Sequence, residues 1–401
     1  MVAGGSGRGM ADDEVRAAAA DLLDGAVAMR RRLHAHPELG LHLPDTQEAV
    51  LDALDGLGLE VSTGRATSSV TAVLDSGSPG PTTLLRGDMD ALPMPEDTGL
   101  AYASQLDGAM HACGHDAHTA MLVGAARLLA ARTDRLAGRV VFMFQPGEEG
   151  FGGADVMLRE GLLEVAGPVD RAFAIHVTPV LPSGVVAGRA GALMASADAF
   201  DVIVTGRGGH ASMPYDAVDP VPVACEMVTA LQTMVTRRVP AFDPAVLTVG
   251  SIVAGTTSNV IPETAVLKLT VRAVSAASRT LVLDGLHRVV EHVAAAHLCT
   301  AEVTQAQFGY PVTVNDDAAA DHALGVAARL LGAERVVRMP TPVMGAEDWS
   351  FVLEQVSGSM VFLGVGLPGL SDPAPNHSNR MLLDEPAMAA GIALHAAVAL
   401  S

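Results

Sequence analysis

HTAMLVGAARLLAARTDRLAGRVVFMFQPGEE, residues 118–149, decides the fold. Residues 118–132 are apolar almost throughout and long enough for a helix. GRVVFMF, at residues 138–144, is a short aliphatic and aromatic run that suits a buried strand. Glu148 and Glu149 follow that strand through Gln145-Pro146-Gly147. Adjacent acids usually make a solvated turn. These two follow a strand with no polar residue between Arg139 and Gln145, where such a turn would be wasted.

The same rhythm extends outward on both sides. Residues 12–33 and 46–57 read as helices, and residues 69–74, 82–86 and 171–175 as short strands. Strands alternating with helices predict an α/β layer with a mixed, mostly parallel sheet flanked by helices. From about residue 195 the pattern becomes β-α-β-β-α-β, an inserted α+β ferredoxin-like unit. The α/β rhythm returns after about residue 311: helices at 317–331 and 347–353, strands at 335–338 and 360–364, and a last helix from 384. The expected domains are residues 12–192, 193–310 and 311–401, the first and third forming one catalytic α/β domain around the insert.

The chain has 401 residues, too many for one ordinary core, since domains run to roughly 100–200 residues. Its formal charge is −20 and Lys268 is its only lysine, which argues against nucleic acid and anionic membrane as partners. Three scattered cysteines, Cys113, Cys225 and Cys299, imply no disulfide framework and fit a reducing, cytoplasmic setting. The opening MVAGGSGRGMADDE has no apolar core and reads as an unstructured start, and the apolar C-terminal run is too short for a membrane span.

In open α/β sheets, ligands bind beyond the carboxyl ends of the strands. Asp88 and Asp90 follow TTLLRG, Glu148 and Glu149 follow GRVVFMF, and His176 follows RAFAI. Three successive strands thus end in metal-competent or acid–base side chains. Residues 111–118 hold three histidines, one cysteine and one aspartate. Cys113 and His115 are two apart, so they converge only from a loop and not from one helix face. Thiolate and imidazole suit zinc or another late first-row ion. A free cysteine is more often a small buried hydrophobe, but its neighbours argue against that here. His111 and His118 read as supporting or packing residues. In an extended segment, neighbouring side chains point opposite ways, so one glutamate can bind metal while the other stays free as a base, the division that metal-assisted hydrolysis needs. His377, in Pro375-Asn376-His377-Ser378, is a ligand candidate only if its loop returns to the same sheet edge, and His210, after Gly208-Gly209, reads on composition alone as a hairpin residue.

RRLHAHPELG, RGDMDALP, MHACGHDAHTAMLVGAA, FQPGEEGFGGA, AIHV, GRGGHASMP, TSNVIP and MGAEDWSF occur in that order between residues 31 and 351. Together they resemble the aminoacylase, hippurate hydrolase and auxin-conjugate amidohydrolase family of metallopeptidase-like enzymes. The resemblance covers nearly the whole chain. It implies a catalytic α/β domain, an inserted lid and dimerisation domain, and two divalent ions per subunit, with zinc, manganese, cobalt or nickel compatible with the donors. It further implies that Cys113 bridges the ions and that His115, Glu149, His176 and His377 complete the ligands. Glu148 matches the general acid/base and Asp90 the acid that supports the site from behind. His210 matches the histidine offered to a neighbouring subunit, and Asn259 and Arg272 match positions near the substrate's carboxylate. Gly147 stands where Ala is frequent and Asn376 where Leu is frequent; neither removes a ligand.

The expected activity is hydrolysis of an N-acyl amino acid to a carboxylic acid and a free amino acid, by a homodimer. A carboxypeptidase-like or dipeptidase activity fits the same scaffold. A thiol amidase using Cys113 as nucleophile would leave Glu148, Glu149, His176 and His377 without roles. A catalytically silent binding protein would retain every catalytic residue to no purpose.

Overall fold

The computed structural model describes residues 6–401. Of the stretch read as an unstructured start, residues 1–5 lie outside the described residues and the remainder opens helix α1 (Ser6–Asp21). The single helix expected over residues 12–33 is two, α1 and α2 (Leu23–Ala35), parted at Leu22. Asp21, Asp24 and Gly25, all poor helix formers, cluster at that break. Then come α3 (Pro44–Leu54), β1 (Glu60–Thr63), β2 (Val70–Asp75), β3 (Thr82–Asp88), α4 (His115–Ala130), β4 (Arg139–Gln145), α5 (Gly153–Arg159), β5 (Arg171–Pro182) and β6 (Val186–Gly188).

The chain forms two compact units. The first takes the described residues up to Leu193, Val314–Thr341 and Phe351–Ser401. Its eight-stranded sheet runs β1-β2-β4-β3-β5, then Gly358–Gly366, β6 and Val336–Arg338. The sheet is mixed. β4, β3, β5 and Gly358–Gly366 form a parallel centre, while β1, β2 and β6 join antiparallel. The sequence signalled the centre best because those strands are buried on both faces and carry short aliphatic or aromatic runs. β1, exposed along its whole length, carries no such signal.

Register brings the chemistry to one edge. Asp88 lies opposite Gln145 across β3 and β4, and Arg86 opposite Ala174 across β3 and β5. The ends of β3 and β4 are therefore level with His176, two residues beyond Ala174. Helix α4 is buried along its length except at Arg127 and Ala130, as an all-round apolar helix must be. It packs on β3, α2 and the last helix, Met388–Ala399. One core joins Leu85, Leu122, Phe142, Phe144, Ile175 and Ile392.

The second unit comprises Met194–Thr313 and Pro342–Ser350. Its strands Asp198–Thr205, Ala245–Ala254, Thr264–Ala273 and Thr300–Gln305 and helices Pro220–Arg238 and Ala276–Ala296 follow the order β-α-β-β-α-β. The sheet is antiparallel throughout, with Thr264–Ala273 and Asp198–Thr205 in the middle. Its own core is built on Val202, Leu231, Leu267, Val271 and Leu286. The segment Pro342–Ser350, placed by sequence with the returning α/β portion, belongs to this unit: Val343 bridges Met194 and accepts the Ala195 N–H at 3.0 Å.

Candidate metal centre

Gly114 caps α4 with φ at +84°, and a Cβ there would meet Val177 Cγ2 at 2.4 Å. Only glycine fits such a position. The turn leaves Cys113 outside the helix and His115 as its first residue, so both reach one side despite their spacing. Gly147, at φ +71°, plays the same part after β4, where a Cβ would meet Leu41 Cδ2 at 2.5 Å. The turn it opens carries Glu148 and Glu149. Asp90 fixes that turn: its two carboxylate oxygens accept the Glu148 and Glu149 backbone N–H groups, each at 3.0 Å.

The ligand atoms of Cys113, His115 and His176 lie within 4.8 Å of one another, and so do those of Cys113, Glu149 and His377. The thiol is common to both triads. Cys113 Sγ is 3.4 Å from His176 Nε2, and His377 Nε2 is 3.3 Å from Glu149 Oε1. His176 Nδ1 donates to the Val177 carbonyl at 2.8 Å, which leaves the Nε2 lone pair facing the sulfur. Glu148 and Glu149 form a further group with His115.

Buried polar atoms nearly always have partners. Both ring nitrogens of His115 are buried without a hydrogen bond of normal geometry among the described residues, and face carboxylates, Nδ1 lying 3.5 Å from Asp90 Oδ1. His115 Nε2 sits 3.4 Å from Asp88 Oδ2 and 3.9 Å from Glu149 Oε1. A divalent cation is what such converging, unsatisfied donors fit.

The electrostatics agree. Burial opposes charge on His115, but Asp88 and Cys113 outweigh it and hold the imidazole well above its usual value. Hydrogen bonding to Cys113 and Glu149 raises His377 to about 10. Burial, reinforced by Glu149, pushes the Cys113 thiol up. His176 is driven well down, by burial and then by His118. Burial raises Asp90. In the protein alone, protons offset an excess of anionic donors, the field that favours cations.

The structure shows how the site is supported, partly by residues the sequence had marked and partly by others. Asp88 Oδ1 accepts from His118 Nδ1 at 2.5 Å, and His118 Nε2 accepts the Val177 N–H at 2.8 Å. With both nitrogens engaged, His118 is a brace, in keeping with its weaker sequence signal. Arg86 pairs with Asp88 Oδ2 at 2.7 Å. Asp116 turns away to Arg30 Nε and His34 Nδ1, each at 2.7 Å. His34 also faces Glu96 at 3.2 Å. His34 and Asp116 belong to the RRLHAHPELG and HACGHD motifs, which was the only sign of their pairing. Burial lowers His111 to about 3 and keeps it neutral.

In the second unit, His210 pairs with Val260 across a two-strand ladder, and the next residue, Ala211, donates to Asn259 O at 3.1 Å. His210 and Asn259 are thus neighbours. His210 Nδ1 accepts the Ser212 N–H at 3.1 Å and lies 2.7 Å from Ser212 Oγ, so Nε2 carries the proton. Arg272 stands opposite Val246 on a central strand. Its neighbouring acid, Asp198, is held in a two-point pair by Arg279 at 2.9 and 2.7 Å. The three cysteines are free, and no described helix is long and apolar enough to cross a membrane.

Comparison with known proteins agrees with this chemistry. The chain is 36% identical over 382 residues to thermostable carboxypeptidase 1 of Saccharolobus solfataricus, covering 94% of this chain and 95% of that one. It is 36% identical to IAA-amino acid hydrolase ILR1-like 4 of Arabidopsis thaliana, covering 94% of this chain and 86% of the other. The Bacillus subtilis YXEP protein, described as a dinuclear metal binding peptidase, superposes with a TM-score of 0.80 at 32% identity, over 95% of this chain and 98% of that one. The family model for peptidase family M20/M25/M40 matches residues 84–401. The chain therefore belongs to peptidase family M20/M25/M40, a family of metal-dependent amidohydrolases and peptidases.

Proposed function

We propose that the protein hydrolyses the amide bond of N-acyl amino acids, using two divalent cations held by Cys113, His115, Glu149, His176 and His377. One observation carries this reading: two donor triads share a single sulfur, the arrangement expected of a bridged pair of sites. The cations would polarise the amide carbonyl and acidify the attacking water. Zinc suits a donor set of thiolate, imidazole and carboxylate, and manganese, cobalt and nickel are compatible.

The chain's own groups divide the remaining work. Glu148 takes the proton of the attacking water and delivers it to the leaving amine. Asp90 keeps Glu148 and Glu149 in place through their backbone N–H groups. His210, with its Nε2–H exposed, donates to the developing oxyanion from a second copy of the chain. Arg272, whose nearby acid is already paired, and Asn259 hold the substrate's carboxylate. A homodimer, with the second unit serving as lid and dimerisation domain, is supported by the edge strand Ala245–Ala254, which exposes Val246, Ile252 and Val253. The unpaired cysteines fit a cytoplasmic setting.

Glu148→Ala should lower kcat by at least about 10²-fold while elemental analysis finds the metal content unchanged. Near-normal turnover would remove Glu148 from the mechanism. The substrate class is tested on a panel of N-acyl amino acids alongside dipeptides. Faster hydrolysis of dipeptides would favour the carboxypeptidase-like reading that the 36% identical relative supports. Cys113, 3.4 Å from His176, also has the partner a thiol nucleophile needs. Activity that survives a chelator but not a thiol alkylator would favour that reading.

A further inference from the structure

The loop that carries His377 is under local constraint. Among the described residues, only His377 and Leu298 adopt positive φ without being glycine, at +65° and +60°. For a side chain such as histidine, that conformation costs on the order of 1 kcal/mol and persists only when its surroundings enforce it. The His377 N–H donates to Ala112 O at 2.8 Å. The other anchor is the side chain immediately before it. Asn376 Nδ2 donates to Cys113 O at 3.1 Å and to Val177 O at 3.2 Å, and stands 3.9 Å from Cys113 Sγ. Both near partners are carbonyl oxygens, which fixes the orientation of the amide.

These contacts join segments far apart in sequence. Cys113 and His115 arrive from the β3–α4 connection, His176 from β5, and His377 from the loop after Gly358–Gly366. One side chain meets the backbone of the first two and is covalently joined to the third. We propose that Asn376 is a positioning residue that preorganises the metal centre, clamping the Cys113, His176 and His377 segments together before any cation arrives. The proposal rests on the two-metal reading above. Its physical basis is that the ordering of the His377 loop is met in folding, so less of the binding free energy is spent on it. Outer groups that orient ligands typically contribute about 10–100-fold in metal affinity.

Asn376→Leu keeps the branched shape with slightly bulkier methyl groups and removes both donors, while Asn376→Ala removes the side chain beyond Cβ as well. Two quantities are read on the full-length protein: amide hydrogen exchange at His377 in the metal-stripped state, and zinc affinity by chelator competition. Thermal unfolding of the stripped proteins checks that each variant folds. The expected result is that both variants lose protection at the His377 amide and bind zinc at least about tenfold more weakly, by similar amounts. A space-filling role would instead leave Asn376→Leu like the wild type and impair only Asn376→Ala, and that result overturns the proposal. Wild-type protein that takes up no metal overturns the ligand assignment and this inference together. Wild type that binds two ions, beside an Asn376→Leu variant indistinguishable from it in both measurements, overturns this inference alone.

Discussion

The donors of the first unit and those of the second are built on opposite plans. Cys113, His115 and His176 are buried: the first two flank the left-handed cap of α4, and His176 sits within β5 with its ring held by the Val177 carbonyl. His210 and Asn259 are exposed, held by a two-residue ladder and a few local hydrogen bonds. Under the roles proposed above, the difference follows from what each group would meet. A cation demands several donors at once within a few tenths of an ångström, so its site is over-determined before it binds. A donor to a substrate meets one atom of a molecule that must enter and leave, so it stays accessible.

This contrast can be broken. The largest effect is expected at the sulfur common to both triads. Cys113→Ala should abolish tight binding of both ions, whereas His377→Ala should leave one of them nearly unaffected; elemental analysis after dialysis counts the ions retained. Equal losses in the two variants would mean that the sulfur is not shared. Next, His210→Ala should lower kcat by about 10²-fold or more with metal content intact. Ser212→Ala, which removes one of the two contacts that fix the His210 tautomer, should cost only several-fold. If either variant loses metal, the separation of roles between the two units fails.

The smallest effect concerns a support of the first unit. Burial works against the Glu96 carboxylate, yet hydrogen bonds from His34, the Ser104 N–H and Thr98 bring it from 4.5 down to about 2. A group whose pKa falls on folding stabilises above its unfolded value, and that stability is lost as pH falls through the folded one. Glu96→Gln should therefore lower Tm by about 1–3 °C at neutral pH. The deficit should shrink between pH 4.5 and about 2, the two ends of the Glu96 shift. A deficit that does not change over that window would assign the loss to packing rather than charge.

Much of the first unit was legible because its central strands carry buried aliphatic and aromatic runs followed by acids and histidines. GRVVFMF could be read as a strand, and the acids after it as chemistry, with no knowledge of what lay alongside. The braces were not legible in the same way. Asp88 and His118 are 30 residues apart and Asn376 and Val177 are 199 apart, and nothing in either local pattern announces the pairing. Asn376 stood out only as a departure from a frequent leucine, and its use emerges from the two carbonyls it meets. Short edge strands such as Glu60–Thr63 were missed because they bury no face and so carry no alternation of apolar and polar residues. The break at Leu22 was missed because the alanine-containing runs on both sides read as helix, and the weak helix formers Asp21, Asp24 and Gly25 were passed over between them.

The left-handed cap at Gly114 sets the mutational tolerance of the whole cluster. Any side chain at that position must accept a φ of +84° and displace Val177 Cγ2 from 2.4 Å. Trimming Val177 to alanine relieves the crowding and leaves the dihedral cost untouched, so no second change fully compensates for the first. A substitution at position 114 therefore strains the one turn on which the placement of both Cys113 and His115 depends, although its residue contributes no atom to the chemistry.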